Sequence, residues 1–417
     1  EKMAASSDWL SDPDWSGFRG NLRDAVVRQK TYQLDWDKKP PREVWRIPVG
    51  PGWGSFAAAG DFLFTQEQRG EEECVVCYSL LTGSEIWVYA IEARFYDPIG
   101  GPGPRSTPTI HNGALFAMGA DGDLASIDAA SGRLNWRVDV AELSNAQIPM
   151  WGYSVSPLVV DQTVVVYAAS SGEHGLIGFN ANDGTLRWNV PSSPKSYSSP
   201  HLCRLHDQDW IVMMTDQGLD FIDPKTGDLK GNYEWMQYGY RALQPYVIDH
   251  DAILITTGMG TGSRRVKFDA ELNGEEIWTS MRLKPDFNDL VVKDGFIFGF
   301  DGGVFTCLDI ETGKPRWKGG RYGKGQALLF DKNGVVLVVT EKGRLVLLEA
   351  TPEAHRELHS LQCLSSKTWN HPIVAGDRLV VRNDREAVCY ELRVANDTSA
   401  KAGGNLQSTN MDKTIGD

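Results

Sequence analysis

No apolar run in this chain of 417 residues approaches the ~20 residues that a membrane-spanning helix requires. Positive charge is in deficit: 42 basic against 55 acidic side chains leave a net charge of −13. That balance argues against nucleic acid as the natural partner and is more simply a solubility device. The sequence holds neither a Ser–His–Asp arrangement nor a phosphate loop. Gly258-Met-Gly260-Thr-Gly262 comes nearest, but it follows a strand-like run and leads to Arg264-Arg265, so it reads as a hairpin turn. Histidines are few, 8 in all, and His174, His201 and His371 stand in separate stretches without metal-ligand spacing. Cysteines number 6, and Cys74-Val-Val-Cys77 resembles a redox or zinc motif without a second pair. Residues three apart on a strand face opposite ways, which suits packing better than sharing a metal.

What the chain has in quantity is glycine, 43 residues, and tryptophan, 14, at a recurrent interval. Asp309-Ile-Glu-Thr312-Gly313 leads to Trp317. Variants of it recur at Thr82-Gly83 before Trp87, Ser131-Gly132 before Trp136, Asp183-Gly184 before Trp188 and Asn273-Gly274 before Trp278. In each, the Trp follows the Gly by four residues. A strand ends, a turn passes through positive φ at the glycine, and the next strand carries the indole across the sheet. Cys77, Cys307 and Cys389 share one place in this unit, filled elsewhere by Ser126 and Gly178, which predicts a small residue under the Trp of a neighbouring unit.

Units of about forty to fifty residues, each with four strand-like runs, predict propeller blades. Outer-strand Trp residues are Trp45, Trp87, Trp136, Trp188, Trp235, Trp278 and Trp317. Two units are degenerate: in one the Trp arrives late, at Trp235, and in the other Glu349-Ala-Thr-Pro352 replaces the turn. The last unit, His371–Leu392, supplies three strands, and Val44–Val49 from the start of the chain is its missing fourth. The expectation is an all-β, single eight-bladed propeller over 44–392 (seven blades if a degenerate unit is misread), closed by the N-terminal strand. Residues 1–43 form an N-terminal extension and 393–417 a polar, disordered tail. In a closed ring the starts of the innermost strands converge at one rim. They bring there Trp53 and Ser55, Arg105, Trp151 and Tyr153, Tyr197, Arg241 and Gln244, Asn288 and Asp289, Lys324 and Gln326, and Trp369, Asn370 and His371.

With the Thr-Gly-x-x-x-Trp motif and the opening Trp15-x-x-Phe18-Arg19-Gly20-x-x-Arg23-Asp24 in view, residues 44–392 resemble the pyrroloquinoline-quinone (PQQ)-like repeat β-propellers. The resemblance implies one of two very different roles. One is that of the non-enzymatic outer-membrane-protein assembly lipoprotein, a scaffold without cofactor. The other is that of quinoprotein alcohol or sugar dehydrogenases, which hold PQQ and Ca²⁺ on the propeller axis. The dehydrogenases typically carry adjacent cysteines above the quinone, and this chain has no Cys-Cys dipeptide. In the dehydrogenase reading Trp53, Trp151, Tyr153 and Trp369 stack a planar ligand, and Arg105, Arg241 and Lys324 hold its carboxylates. Asp289 acts as base or metal ligand, with Asn288 and Asn370 beside the axis. A hydrated, polar channel mouth is the plainer reading of the same residues. The leading expectation is therefore a non-catalytic scaffold of the bacterial periplasm or cell envelope. It would carry no cofactor and no metal, and would meet envelope proteins through loops and blade edges. The start at Glu1, without an initiator methionine, leaves room for a removed export signal or membrane anchor. A third option is a small sugar or peptide bound at the rim.

Overall fold

The computed structural model describes residues 14–239 and 241–395. They form eight blades, each with four antiparallel strands that are sequential or ring-closing, arranged as an eight-bladed β-propeller, with a separate two-stranded ribbon at Tyr96–Asp97 and Gly101–Pro102. Seven blades are chain-continuous: 57–92, 109–139, 158–190, 201–234, 246–280, 291–321 and 326–362. They are numbered 1 to 7 here. Blade 8 takes three strands from 373–391 and its outer strand, Arg42–Pro48, from the beginning of the chain. Trp45 pairs with Cys389 and Arg46 with Val388 across that junction, as expected. The two ends of the propeller thus share one sheet, which leaves no open edge at the closure.

The burial pattern follows from position in the ring. Middle strands such as Val335–Val339 and Ala252–Thr257 are buried at every residue, because neighbouring blades cover both of their faces. They therefore read as unbroken apolar runs. Outer strands alternate instead; in Leu186–Val190 only Trp188 and Val190 are buried.

Six of the eight seams are closed by the indole of one blade lying on the turn of the next. A Cβ at Gly132, where φ is +74°, would fall 2.6 Å from the Trp87 ring, so only glycine admits the contact. The ring nitrogens complete the fit: Trp45 donates to Leu80 O, Trp87 to Ala129 O, Trp136 to Ala181 O and Trp278 to Ile310 O, at 2.8–3.1 Å. Trp317 makes the same bond to Thr351 O at 2.8 Å, although the blade 7 turn has no glycine.

Two expectations need correction. The small residues Cys77, Ser126, Gly178, Cys307 and Cys389 lie directly opposite Trp87, Trp136, Trp188, Trp317 and Trp45 in the same sheet, so they make room for their own blade's indole. In blade 4, Trp235 is not the docking residue. There Phe221 faces Gly231, and Tyr233 lies against Gly274 of blade 5 instead. Trp235 is stacked between the guanidiniums of Arg241 and Arg264, at 4.8 and 4.5 Å. All six cysteines are buried and unpaired, and Cys74 and Cys77 enter different cores.

The segment ahead of the first outer strand is threaded into the ring. Trp15 bridges Ala58 of blade 1, Val26–Val27 runs parallel to Leu329–Phe330 as a fifth strand inside blade 7, and Tyr32 bridges Val394. Residues 393–395, expected in the disordered tail, instead pair with 31–33, where Gln33 N donates to Arg393 O and Ala395 N to Thr31 O. The rest of that tail, from 396 on, lies outside the described residues. No helix among the described residues is long and apolar enough to cross a membrane.

Candidate functional site

Side chains alternate along a strand. Counting back in twos from the innermost strands therefore sorts the predicted rim residues into those facing the axis and those turned into the seams. Two residues ahead of the aligned strand positions stand Ser55, Thr107, Ser156, Ser199, Gln244, Asp289, Gln326 and His371. They form a belt that ties blade to blade. Ser55 N donates to Thr107 Oγ1 at 2.8 Å, Thr107 N to Ser156 Oγ at 3.0 Å, and Ser156 N to Ser199 Oγ at 2.9 Å. Asp289 N donates to Gln326 Oε1 at 3.0 Å, and Ser55 Oγ closes on His371 O at 2.6 Å.

Two residues further towards the mouth, four adjacent blades supply Phe287, Lys324, Trp369 and Trp53. The Trp53 and Trp369 rings lie 4.8 Å apart and Phe287 stands edge-on to Trp369 at 5.0 Å. Lys367, which the sequence reading did not single out, places Nζ 4.1 Å from the Trp369 ring and 5.2 Å from Trp53. Lys324 is paired with Asp286 at 2.8 Å, and Trp369 Nε1 donates to Glu341 at 2.9 Å. Across the mouth Trp151 and Tyr197 form a second ring pair at 5.1 Å. The structure thus brings together Trp53, Lys324 and Trp369, and separately Trp151 with Tyr197.

The other predicted residues are elsewhere or already engaged. Tyr153 is in the core, its hydroxyl donating to Ala168 O at 2.9 Å. Arg241 is fully buried against Trp235, and burial pushes its pKa down to about 10. Asn288 and Asn370 turn into the seams; Asn370 Nδ2 donates to Gly52 O and Gly54 O at 3.1 and 2.7 Å. Arg105 faces the mouth but is caged by Asp97 at 2.5 Å and by the carbonyls of Gly101 and Gly103. Tyr153, Arg241, Asn288 and Asn370 share one placement: they are one residue out of phase with the axis. Arg105 is in phase and neutralised locally.

Asp289 does reach the axis, and the chain's own amino-terminal segment meets it there. Arg19 Nε lies 2.8 Å from Asp289 Oδ2, and Arg19 Nη2 donates to Leu290 O at 2.7 Å. Phe18 stands edge-on to His371 at 5.1 Å. Arg23 donates to the carbonyls of Ser156, Pro157 and Pro200, from blades 3 and 4. Ile110 N donates to Ser16 O at 2.8 Å. The Trp15–Asp24 motif is therefore an axial plug, which no repeat pattern could reveal. Its density of arginine and aromatic residues outside any repeat was the available signal. Burial raises the pKa of Asp289, against the pull of Arg19 and the Leu290 amide. Burial, with Arg19 adding to it, holds His371 well below its usual value, so it is neutral.

A calcium-held, carboxylated quinone needs free carboxylate and amide groups on the axis together with free cations. Here Asp289 is ion-paired, the amides of Asn288 and Asn370 are turned away, Arg105 is committed to Asp97, and Arg241 is buried against Trp235. The residues present do not fit that group.

A family model described as outer membrane protein assembly factor BamB matches residues 35–152, 75–241 and 262–398. The chain belongs to this family. Two BamB proteins are similar in sequence. That of Shewanella oneidensis is 24% identical over 268 residues, 59% of this chain and 65% of that protein. That of Yersinia pestis is 23% identical over 294 residues, 65% of this chain and 71% of that protein. The match to the Shewanella protein thus spans just under two thirds of its length. Among solved structures, BamB from Moraxella catarrhalis aligns with a TM-score of 0.56 at 17% identity, over 84% of this chain and 97% of that one. A quinohemoprotein alcohol dehydrogenase from Pseudomonas putida HK5 aligns with a TM-score of 0.67 at 11% identity, over 99% and 84%. Both likenesses show the fold alone.

Proposed function

We propose that this BamB-family propeller is a non-catalytic scaffold of the bacterial periplasm that engages protein partners in outer-membrane protein assembly. The observation that carries the reading is the axial plug. It places Arg19 on Asp289, the carboxylate that the dehydrogenase reading assigns as base or metal ligand. The family match and the two BamB relatives support assembly as the setting. The half-exposed Trp53, Phe287 and Trp369, with Lys324 and Lys367, are the surface at the mouth that a partner would contact. Aromatic and long cationic side chains combine large contact area with orientation there.

The experiment is affinity purification of the full chain from detergent-solubilised envelopes, beside a Trp53→Ser/Trp369→Ser variant of unchanged melting temperature. One envelope protein should be recovered reproducibly with the parent and at least tenfold less with the variant. Recovery of no partner counts against the scaffold reading. Equal recovery by the variant moves the contact away from the mouth.

A further inference from the structure

The plug creates a second concavity, on the side of the ring where the inner strands end. A cavity of about 380 Å³ lies between the Ser16–Arg23 turn and blades 2 to 4. That volume is within the range of small-molecule sites, about 300–1,000 Å³. Ile110, Leu158 and Leu202 make one wall apolar, Arg23 and His201 are polar, and no aspartate or glutamate lines it.

Arg23 is the unusual member. Three carbonyls accept from its Nη1 and Nη2, which leaves two of the five guanidinium N–H groups. No carboxylate among the described residues offsets its charge, and burial alone pushes its pKa down to about 9. A guanidinium withdrawn from water without a counter-ion is costly, and an arriving anion relieves that cost. His201 lines the same cavity. Burial, with Arg23 and Arg19 adding, pushes His201 down to about 3, so the ring is neutral, and its buried Nδ1 has no partner. A neutral imidazole supplies one N–H. The site therefore combines an uncompensated cation, a spare donor and a hydrocarbon wall, with no acidic group to repel an anion.

We propose that this cavity binds a small amphipathic carboxylate, with its carboxylate on Arg23 and His201 and its hydrocarbon chain on Ile110, Leu158 and Leu202. The site is separate from the mouth and stands whether or not the scaffold reading holds.

Calorimetric titration of the full chain with hexanoate, 1-hexanol and acetate tests it. Hexanoate should bind one per chain, with hexanol and acetate each at least tenfold weaker. Arg23→Gln should weaken hexanoate by tenfold or more, but it also disturbs the plug. Leu202→Trp is the cleaner variant, since it fills the apolar end from a partly exposed position. It should abolish hexanoate binding at unchanged melting temperature. The proposal is overturned if hexanoate gives no saturable heat at millimolar concentration, or if hexanol or acetate binds as tightly. Undiminished binding to Leu202→Trp overturns it as well.

Discussion

Arg19 Nε and Asp289 Oδ2 are 2.8 Å apart, with both side chains almost withdrawn from solvent, at 2% and 4% exposure. One belongs to a segment that carries no repeat, the other to the axial belt of blade 6. The pair fastens the chain's beginning into the centre of the ring. Breaking one member of a buried pair strands the other charge and costs about 3–5 kcal/mol. Asp289→Asn should lower the unfolding free energy by that order in urea titrations. A double-mutant cycle with Arg19→Met should return a coupling energy of about 1–3 kcal/mol. Coupling near zero would mean that the two groups do not meet in solution.

Glu73 supplies a pH dependence. Its carboxyl, at the seam of blades 1 and 2, is pushed up to about 8 by burial, with Asp121 and Asp123 adding and the Ala120 amide opposing. The folded state therefore keeps a proton that the unfolded state has already released above its usual value of 4.5. Stability from this group is present below that value and is lost as pH rises through about 8. Glu73→Gln should match the parent at pH ~4 and melt higher at pH ~8. Melting curves across that range check the sign; an equal slope in both proteins contradicts it.

The indole seams give a paired test. Gly70 and Gly132 both have positive φ, but a Cβ at Gly70 meets open space whereas one at Gly132 meets Trp87. Each change to alanine carries the left-handed backbone penalty of about 1–2 kcal/mol. Gly132→Ala should cost about 1–3 kcal/mol more, because the indole must move. Equal losses in chemical denaturation would remove the docking explanation.

Those seams were also the legible part of the sequence. The Gly-to-Trp interval is a local consequence of turn and strand geometry, so it announced the blades and the shared last sheet. Blade 4 escaped because its aromatic and small residues exchange places: Phe221 faces Gly231, and Tyr233 substitutes for the indole. At the mouth, Trp53, Lys324 and Trp369 come together, whereas Arg241 and Tyr153 lie elsewhere, because a shift of one residue turns a side chain from the axis into a seam. Periodicity locates the start of an inner strand but not its phase. The plug was invisible for a different reason: its contacts with Asp289, Ser156 and Pro200 are all distant in sequence.

The six cysteines should behave as core residues. Burial raises the pKa of each of them; Cys74 is at about 11, and Cys203 and Cys363 are pushed up to about 12. Thiolate is the reactive form, so a chromogenic disulfide reagent at pH ~8 should find no fast-reacting thiol in the native protein. All 6 should react at once in guanidinium. A fast native thiol would point to a looser sheet at that position.

The most direct test of the central claim, that the chain's own amino-terminal segment occupies the propeller axis, is calorimetric titration of the full chain with PQQ in the presence of Ca²⁺. With Arg19 seated on Asp289 the titration should show no saturable heat and no rise in melting temperature. Stoichiometric binding accompanied by reduction of an artificial electron acceptor would contradict the account.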